Sequence, residues 1–382
     1  MSGNRALARA GLIVTFAFLV SRVLGYVRVA VIAGPGLDGD LDAFFAAFRI
    51  PDLIFQLVAA GALGSALIPV VAGLIANGER DRAWRVVGTV LNLMLIGLAV
   101  LAIVLFIAAP PIVDAITSFD DPRRTELTVE LTRIMLASAI LLAVGSVATS
   151  VLNAEGRFAA SALAPIVYNL GIIGGALFLR PSMGMAGLAV GVVAGSVAHL
   201  AIQLRPLARI GYRYRPRIDA TDPDARTALA LMAPRALGLG ATQITFVAMT
   251  AFASGLAAGS VSAFNLALTL LQIPLGVIGV PLGIVILPAL ARELASGRTD
   301  EFLRLVSRAL RLLLFVMLPI AIVGIVLRQE IVRLLFGHGG FSEGDVALTA
   351  DAFAIFLLGL AAHSLIAVLA RAFYAGQDTR TP

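Results

Sequence analysis

Long apolar runs separated by short, arginine-rich polar stretches organise this chain. The runs fall near residues 10–33, 42–76, 86–109, 127–152, 158–180, 183–204, 227–254, 260–291, 302–327 and 347–372. Each reaches the roughly 20 residues that a helix needs to cross a bilayer. They are continuous rather than alternating segments of about ten residues, which argues against a membrane β-barrel. The pattern predicts an all-α integral membrane protein with about ten transmembrane helices. The second and eighth runs exceed one crossing and contain Pro51 and Pro69, and Pro274, Pro281 and Pro288. Proline kinks a helix, and a membrane tolerates this where other protein or a cavity meets the freed carbonyl. The first run follows Arg5 and Arg9, continues past signal-peptide length and has no small-residue cleavage site behind it. It is expected to be a retained helix.

Composition sharpens this reading. Hydrophobic residues make up 59% of the 382 and charged residues 14%, and the mean hydropathy is +0.97, whereas soluble domains carry about 25% charged residues. A soluble enzyme, a nucleic-acid-binding domain and a disordered chain are excluded. There is no cysteine, and His199, His338 and His363 lie far apart, so no thiolate nucleophile or metal-ligand spacing exists. No catalytic residue, metal or cofactor is expected.

All 29 basic residues are arginine, and their placement gives an orientation. With the N-terminus cytoplasmic, the cytoplasmic segments carry 19 arginines and the opposite side six: Arg123, Arg124, Arg133, Arg180, Arg328 and Arg333. Positive-inside bias then predicts that both ends of the chain are cytoplasmic. Arg22, Arg28, Arg49 and Arg235 sit inside apolar runs.

A shift of 219 residues lays the stretch from Leu63 over that from Leu282. It matches Pro69 with Pro288, Gly78 with Gly297, Asp81 with Asp300 and Arg85 with Arg304. The offset spans six helices, an even number, so the copies point the same way, as in parallel transporter repeats. This predicts a lobe at 1–204, a linker at 205–226 and a second lobe from 227 to 382. Only four of the second lobe's six helices fit before Pro382, so that lobe is expected to be incomplete and the chain truncated. The linker mixes arginines with Tyr212 and Tyr214. Such a mixture suits RNA or anionic lipid, or simply a cytoplasmic loop obeying charge bias.

Six motifs carry a resemblance: SRVLGYVR from Ser21, DAFFAAFRIPDL from Asp42, GALGSALIP from Gly61, AGSVSAFN from Ala258, GVIGVPLGIVILP from Gly276 and RAFYAGQDTRTP from Arg371. In this order, along the whole chain, they resemble the MurJ/MviN family of lipid II flippases, within the multidrug/oligosaccharidyl-lipid/polysaccharide exporter superfamily. The resemblance implies two six-helix lobes in a V around a central cavity, in a bacterial plasma membrane. It implies movement of a lipid-linked peptidoglycan precursor between leaflets by alternating access, without covalent chemistry. It leaves open a coupling ion or the membrane potential, and contact with wall-synthesis enzymes.

Charge inside a bilayer is costly and usually faces a cavity or partner. Arg22, Arg28 and Arg49 therefore suit the pyrophosphate of a lipid-linked glycan, with Asp42 and Asp52 holding those arginines or contacting sugar and peptide. Arg235, Ser262, Asn265 and Gln272 complete the expected substrate-binding set. Arg22 and Arg28 stand about 120° apart on a regular helix, so both face one cavity only if the helix bends, for example at Gly25. Many family members place arginines where this chain has Phe55 and Thr269, and an acid where it has Gln272 or Val29. These departures keep other readings open: a flippase for another lipid-linked oligosaccharide, a cation-coupled drug exporter, or a non-transporting scaffold for wall synthesis.

Overall fold

The computed structural model describes residues 2–57, 64–214, 216, 218, 219, 221–376 and 378, with side chains described except at 2–13, 64, 65, 233–242 and 280. Every regular element among the described residues is helical. In chain order these are α1 (Ser2–Ala33), α2 (Gly39–Phe55), α3 (Gly64–Ala76), α4 (Arg80–Ile107), α5 (Ala109–Ile116), α6 (Pro122–Ala154), α7 (Phe158–Gly174), α8 (Arg180–Met183) and α9 (Met185–Arg209). There follow α10 (Pro223–Ser254), α11 (Ser260–Pro274), α12 (Val280–Ala295), α13 (Thr299–Val326), α14 (Arg328–Phe336), α15 (Glu343–Leu358) and α16 (Leu360–Ala375).

Seven helical stretches among the described residues are long and apolar enough to cross a membrane, or eight with α15 and α16 as one span bent by 44°. This is a multi-pass membrane fold with fewer clear spans than the ten expected. The physical reason lies in two segments. The run 42–76 breaks into α2 and α3, both short, with residues 58–63 outside the description. Within α10 the side chains of 233–242 lie outside it too, leaving the apolar piece Gln243–Ser254.

The chain forms two compact units, Met1–Ile32 with Asp38–Val261, and Ala33–Leu37 with Ser262–Pro382. The division falls after α10 rather than in the linker at 205–226, because α10 packs on α2, α3, α4 and α5. In the first unit α6 is the hub and touches α2, α3, α4, α5, α7 and α9. Its buried face is built from Leu136, Ala139, Ala143, Val147 and Val151, which pack with Val87, Leu91, Leu67 and Ile54. Polar ties also join helices, α6 to α9 and α7 to α1. Thr149 Oγ1 donates to Gln203 Oε1 (2.9 Å), and Asn169 Nδ2 donates to the Ser21 carbonyl (3.2 Å). Helix α7 and the π-helical turn that continues it at 175–179 meet α9 through glycines: a Cβ on Gly175 would lie 2.5 Å from the Gly191 Cα. Small residues of this kind let membrane helices approach backbone to backbone.

In the second unit α12 and α13 pack on α16, α14 packs on α15, and Gly324 of α13 lies under Leu357 of α15. The short segment 33–37 belongs here, its Gly34 carbonyl accepting the Gly340 N–H at 2.7 Å.

The 219-residue repeat is visible in the backbone of each unit. Helix α4 runs from Arg80 to Ile107 and α13 from Thr299 to Val326, both ends displaced by the same offset. The turn before each helix is also the same. Gly78 (φ +80°) and Gly297 (φ +69°) both take the left-handed conformation that favours glycine. Gly78 N–H donates to Ile75 and Glu79 N–H to Leu74; Gly297 N–H donates to Leu294 and Arg298 N–H to Glu293. A π-helical turn follows α2 at Gln56 and α11 at Leu275. Conservation of turn, hydrogen bonds and helix length at one offset indicates duplication of a helical block.

Candidate functional site

The first unit contains a cavity of about 330 Å³ lined by Arg28 of α1, Phe48, Pro51, Asp52 and Phe55 of α2, Ser138 and Leu142 of α6, Pro165 and Tyr168 of α7, and His199 of α9. Sequence periodicity explains its shape. Phe48, Pro51, Asp52 and Phe55 recur at spacings of three and four, which gathers them on one face of α2. That face meets α6, whose small residues allow close approach. On its α9 side, α6 carries Gly145: a Cβ there would lie 2.5 Å from His199 Nδ1. The glycine makes the room in which the imidazole sits, and Nδ1 is enclosed with no hydrogen-bond partner among the described residues. Gly195 does the same for Tyr168, whose carbonyl a Cβ would approach to 2.6 Å.

The cavity therefore holds one guanidinium, one carboxylate, a phenol and an imidazole among apolar walls. No ion pair ties Arg28 to Asp52 or to any other described carboxylate. A multi-donor cation that is half-buried and makes no direct ion pair among the described residues is suited to an anionic ligand, above all a phosphate oxygen.

The other expected residues are placed differently. Arg22 does not line the cavity; its guanidinium stands 5.7 Å from the Phe18 ring, one turn back on α1. Helix α1 runs unbroken through Gly25, so the two arginines point to different faces. Arg49 donates through Nε to Thr250 Oγ1 at 3.1 Å and lies 5.4 Å from the Phe246 ring, both on α10. Asp42 is buried, and its Oδ2 accepts the Gly259 N–H at 2.7 Å. It holds the start of α2 to the loop before α11. Arg235 lies on α10, but its side chain is outside the described residues. Ser262, Asn265 and Gln272 belong to α11 of the second unit, buried, half-buried and exposed respectively. The site as described thus joins Arg28 and Asp52 and adds Tyr168 and His199, which sequence reasoning passed over. Their only signal was a polar ring inside an apolar run.

Arg180, a loop residue by sequence, donates from Nη1 to the Ile32 carbonyl at 2.7 Å. It satisfies one of the open carbonyls at the end of α1.

Comparison with known proteins places this architecture. The model of the family described as "Lipid II flippase MurJ" matches residues 32–382. A Rhizobium tropici protein described as "Probable lipid II flippase MurJ" is 34% identical over 376 residues, which is 96% of this chain and 70% of that protein. A Burkholderia cenocepacia protein described as "Lipid II flippase MurJ" is 31% identical over 385 residues, covering 98% of this chain and 75% of that one. A solved structure of a lipid II flippase MurJ in an inward closed conformation shares the fold with a TM-score of 0.83 at 24% identity, over 97% of this chain and 77% of that chain. A multi-pass helical fold built on a duplicated block, matched by this family along most of its length, makes the chain a member of the lipid II flippase MurJ family, whose members are transporters and not enzymes.

Proposed function

We propose that the chain flips lipid II, the lipid-linked peptidoglycan precursor, from the inner to the outer leaflet of a bacterial plasma membrane, with Arg28 as a contact for its pyrophosphate. The observation that carries this reading is the Arg28 guanidinium, which makes no direct ion pair among the described residues, in a cavity shared with Asp52, Tyr168 and His199. At about 330 Å³ the cavity is on the scale of small-ligand sites. It suits a diphosphate with part of its first sugar, leaving the polyprenyl chain in lipid. Asp52, Tyr168 and His199 supply hydrogen-bonding groups for sugar hydroxyls or the amide of an N-acetyl group.

The same reading includes ten spans with both ends cytoplasmic, supported by the arginine asymmetry. It includes two lobes of common six-helix plan, at 1–204 and from 227 onward, supported by the repeated α4 and α13 block. The lobes are units of descent, and α10 packs on the first compact unit while belonging by repeat to the second.

Flipping of fluorescent lipid II by reconstituted protein tests the reading. A charge-assisted phosphate contact contributes about 1.5–3 kcal/mol, so Arg28→Ala should weaken substrate binding roughly ten- to a hundredfold. Arg28→Lys should restore part of it, keeping the charge but losing the planar fork. Arg157→Ala, at an exposed position with no ion pair among the described residues, is the control. Equal flipping by Arg28→Ala and Arg157→Ala overturns the assignment.

A further inference from the structure

A groove of about 590 Å³ lies where the end of α4, the short α5 and the start of α6 meet, and it shares no residue with the Arg28 cavity. Phe106, Pro110, Val129 and Ile134 give it apolar walls. The apolar runs 86–109 and 127–152 both stop at this level, so the groove sits at the polar border of the membrane. Three carboxylates line it as well, Asp114 of α5 and Glu126 and Glu130 of α6. All three are exposed, and none forms an ion pair among the described residues. The one guanidinium in the lining, Arg133, is turned to the end of α4. Its Nε donates to the Phe106 carbonyl at 3.0 Å, and the group stands 5.0 Å from the Phe106 ring. Three carboxylates against one guanidinium leave the lining with two formal negative charges.

The duplicated block supplies a comparison. At the 219-residue offset, Asp114, Glu126 and Glu130 correspond to Arg333, Asp345 and Thr349. In the second unit the two charges are met from within. Arg333 pairs with Glu343 at 2.6 Å, and Asp345 accepts the Ser342 N–H at 2.9 Å in a capping box. Thr349 carries no charge. The first unit keeps the same helical frame and leaves its charges open. The position matching Glu343 is Arg124, which approaches Asp121 at 3.8 Å rather than Asp114.

Glu126 and Glu130 stand four residues apart, about 6 Å along one face of α6. Basic residues at the same spacing on a second helix have the same rise, so one helix face can meet both carboxylates together. The apolar walls then take the side chains between them, as when an amphipathic helix lies in a groove. Other occupants fit less well. A phospholipid would bring its phosphate against three carboxylates. A metal ion has no seat, because no three acidic groups among the described residues are placed to hold one.

We propose that this groove is a docking surface for a helix of another membrane protein, one carrying arginine or lysine at i and i+4 beside apolar residues where it leaves the bilayer. The groove's place on the outer side rests on the orientation proposed above; its chemistry does not.

The probe is a fluorescent amphipathic peptide of alanine and leucine with arginines at i and i+4 on one face. It is titrated against the protein in phosphatidylcholine nanodiscs, which expose both sides. Empty nanodiscs and a peptide of the same composition with its arginines spread around the helix are the controls. Saturable binding is expected, at least about tenfold tighter than in either control. Exposed ion pairs contribute little singly, so Glu126→Gln with Glu130→Gln should together weaken binding about tenfold. Glu126→Arg with Glu130→Arg should abolish it and take up instead the peptide with glutamates in place of arginines. Both positions are exposed, so the unfolding temperature and lipid II flipping should stay those of the parent. Peptide binding without flipping would support the groove and refute the lipid II reading, so the two fail separately. Equal affinity for the scrambled peptide, glutamine variants that bind like the parent, or no saturable binding would overturn the proposal. A calcium-induced rise in unfolding temperature that the glutamine variants lose would assign the carboxylates to a cation and also overturn it. So would self-association of the parent that the same variants lose, which would assign the face to a second copy of the chain.

Discussion

Adding one methyl group at Gly145 tests how the Arg28 cavity is built. In Gly145→Ala the new Cβ would lie 2.5 Å from His199 Nδ1 and 2.7 Å from Cε1. Ordinary carbon contacts begin near 3.5 Å, so the imidazole must retreat by about 1 Å, and the space open to it is the cavity. Overpacking of this size costs typically about 1–3 kcal/mol. For a unit of about 250 residues that corresponds to a fall in apparent melting temperature of about 2–4 °C per kcal/mol. Displacing His199 into the cavity should also weaken binding at Arg28. The companion variant His199→Ala removes the obstacle, so the double variant Gly145→Ala with His199→Ala should recover most of the loss caused by the glycine substitution. Neighbouring groups of this kind couple by about 0.5–3 kcal/mol in a double-mutant cycle. Thermal unfolding of the four proteins in nanodiscs, with labelled lipid II binding in parallel, gives both readouts. Strict additivity of the two substitutions, or a Gly145→Ala protein as stable as the parent, would refute the steric account.

Further expectations concern the frame around the cavity. Asp42→Ala should lower the melting temperature by the equivalent of about 1.5–3 kcal/mol, the worth of a charge-assisted hydrogen bond; an unchanged midpoint would show that the bond to Gly259 carries no stability. Gly175→Ala and Gly191→Ala should each force α7 and α9 apart and destabilise by about 1–3 kcal/mol, whereas Gly97→Ala, with nothing within 4 Å of its added methyl, should be neutral or slightly stabilising in thermal unfolding. Cysteines introduced at Asp120 and His338, both exposed, should react with impermeant maleimide from outside the cell, and labelling only from the cytoplasmic side would reverse the topology.

The helices were largely legible because hydropathy and length are local properties. The run at 127–152 falls inside α6, and that at 183–204 overlaps α9 in all but its first two residues. What escaped were consequences of contact between distant segments. Arg49 carries no local sign that its guanidinium will meet Thr250, a residue 201 positions away. Its partner is set by how α10 docks on α2. Asp42 reads as a membrane carboxylate in search of an arginine, yet it takes a backbone N–H at Gly259, a bond visible only once the loop before α11 is in place. Periodicity did anticipate the parting of Arg22 and Arg28: an angular separation of about 120° keeps them on different faces of a helix that stays continuous. Tyr168 and His199 were invisible for another reason. A lone ring in an apolar run becomes a site residue only when a glycine on the facing helix gives it room, and Gly145 and Gly195 have no pattern that announces this.

The matched turns at Gly78 and Gly297 mean that the molecule carries its own reference sample. Neither glycine has any atom within 4 Å of where a side chain would start, so the left-handed backbone alone decides what each turn tolerates. Two identical local conformations on one polypeptide share temperature, lipid, detergent and expression history. Any difference in their mutational tolerance must come from the helices they join. A duplicated block thus offers an internal comparison that unrelated proteins cannot, and it separates what a turn requires by its own geometry from what its surroundings impose.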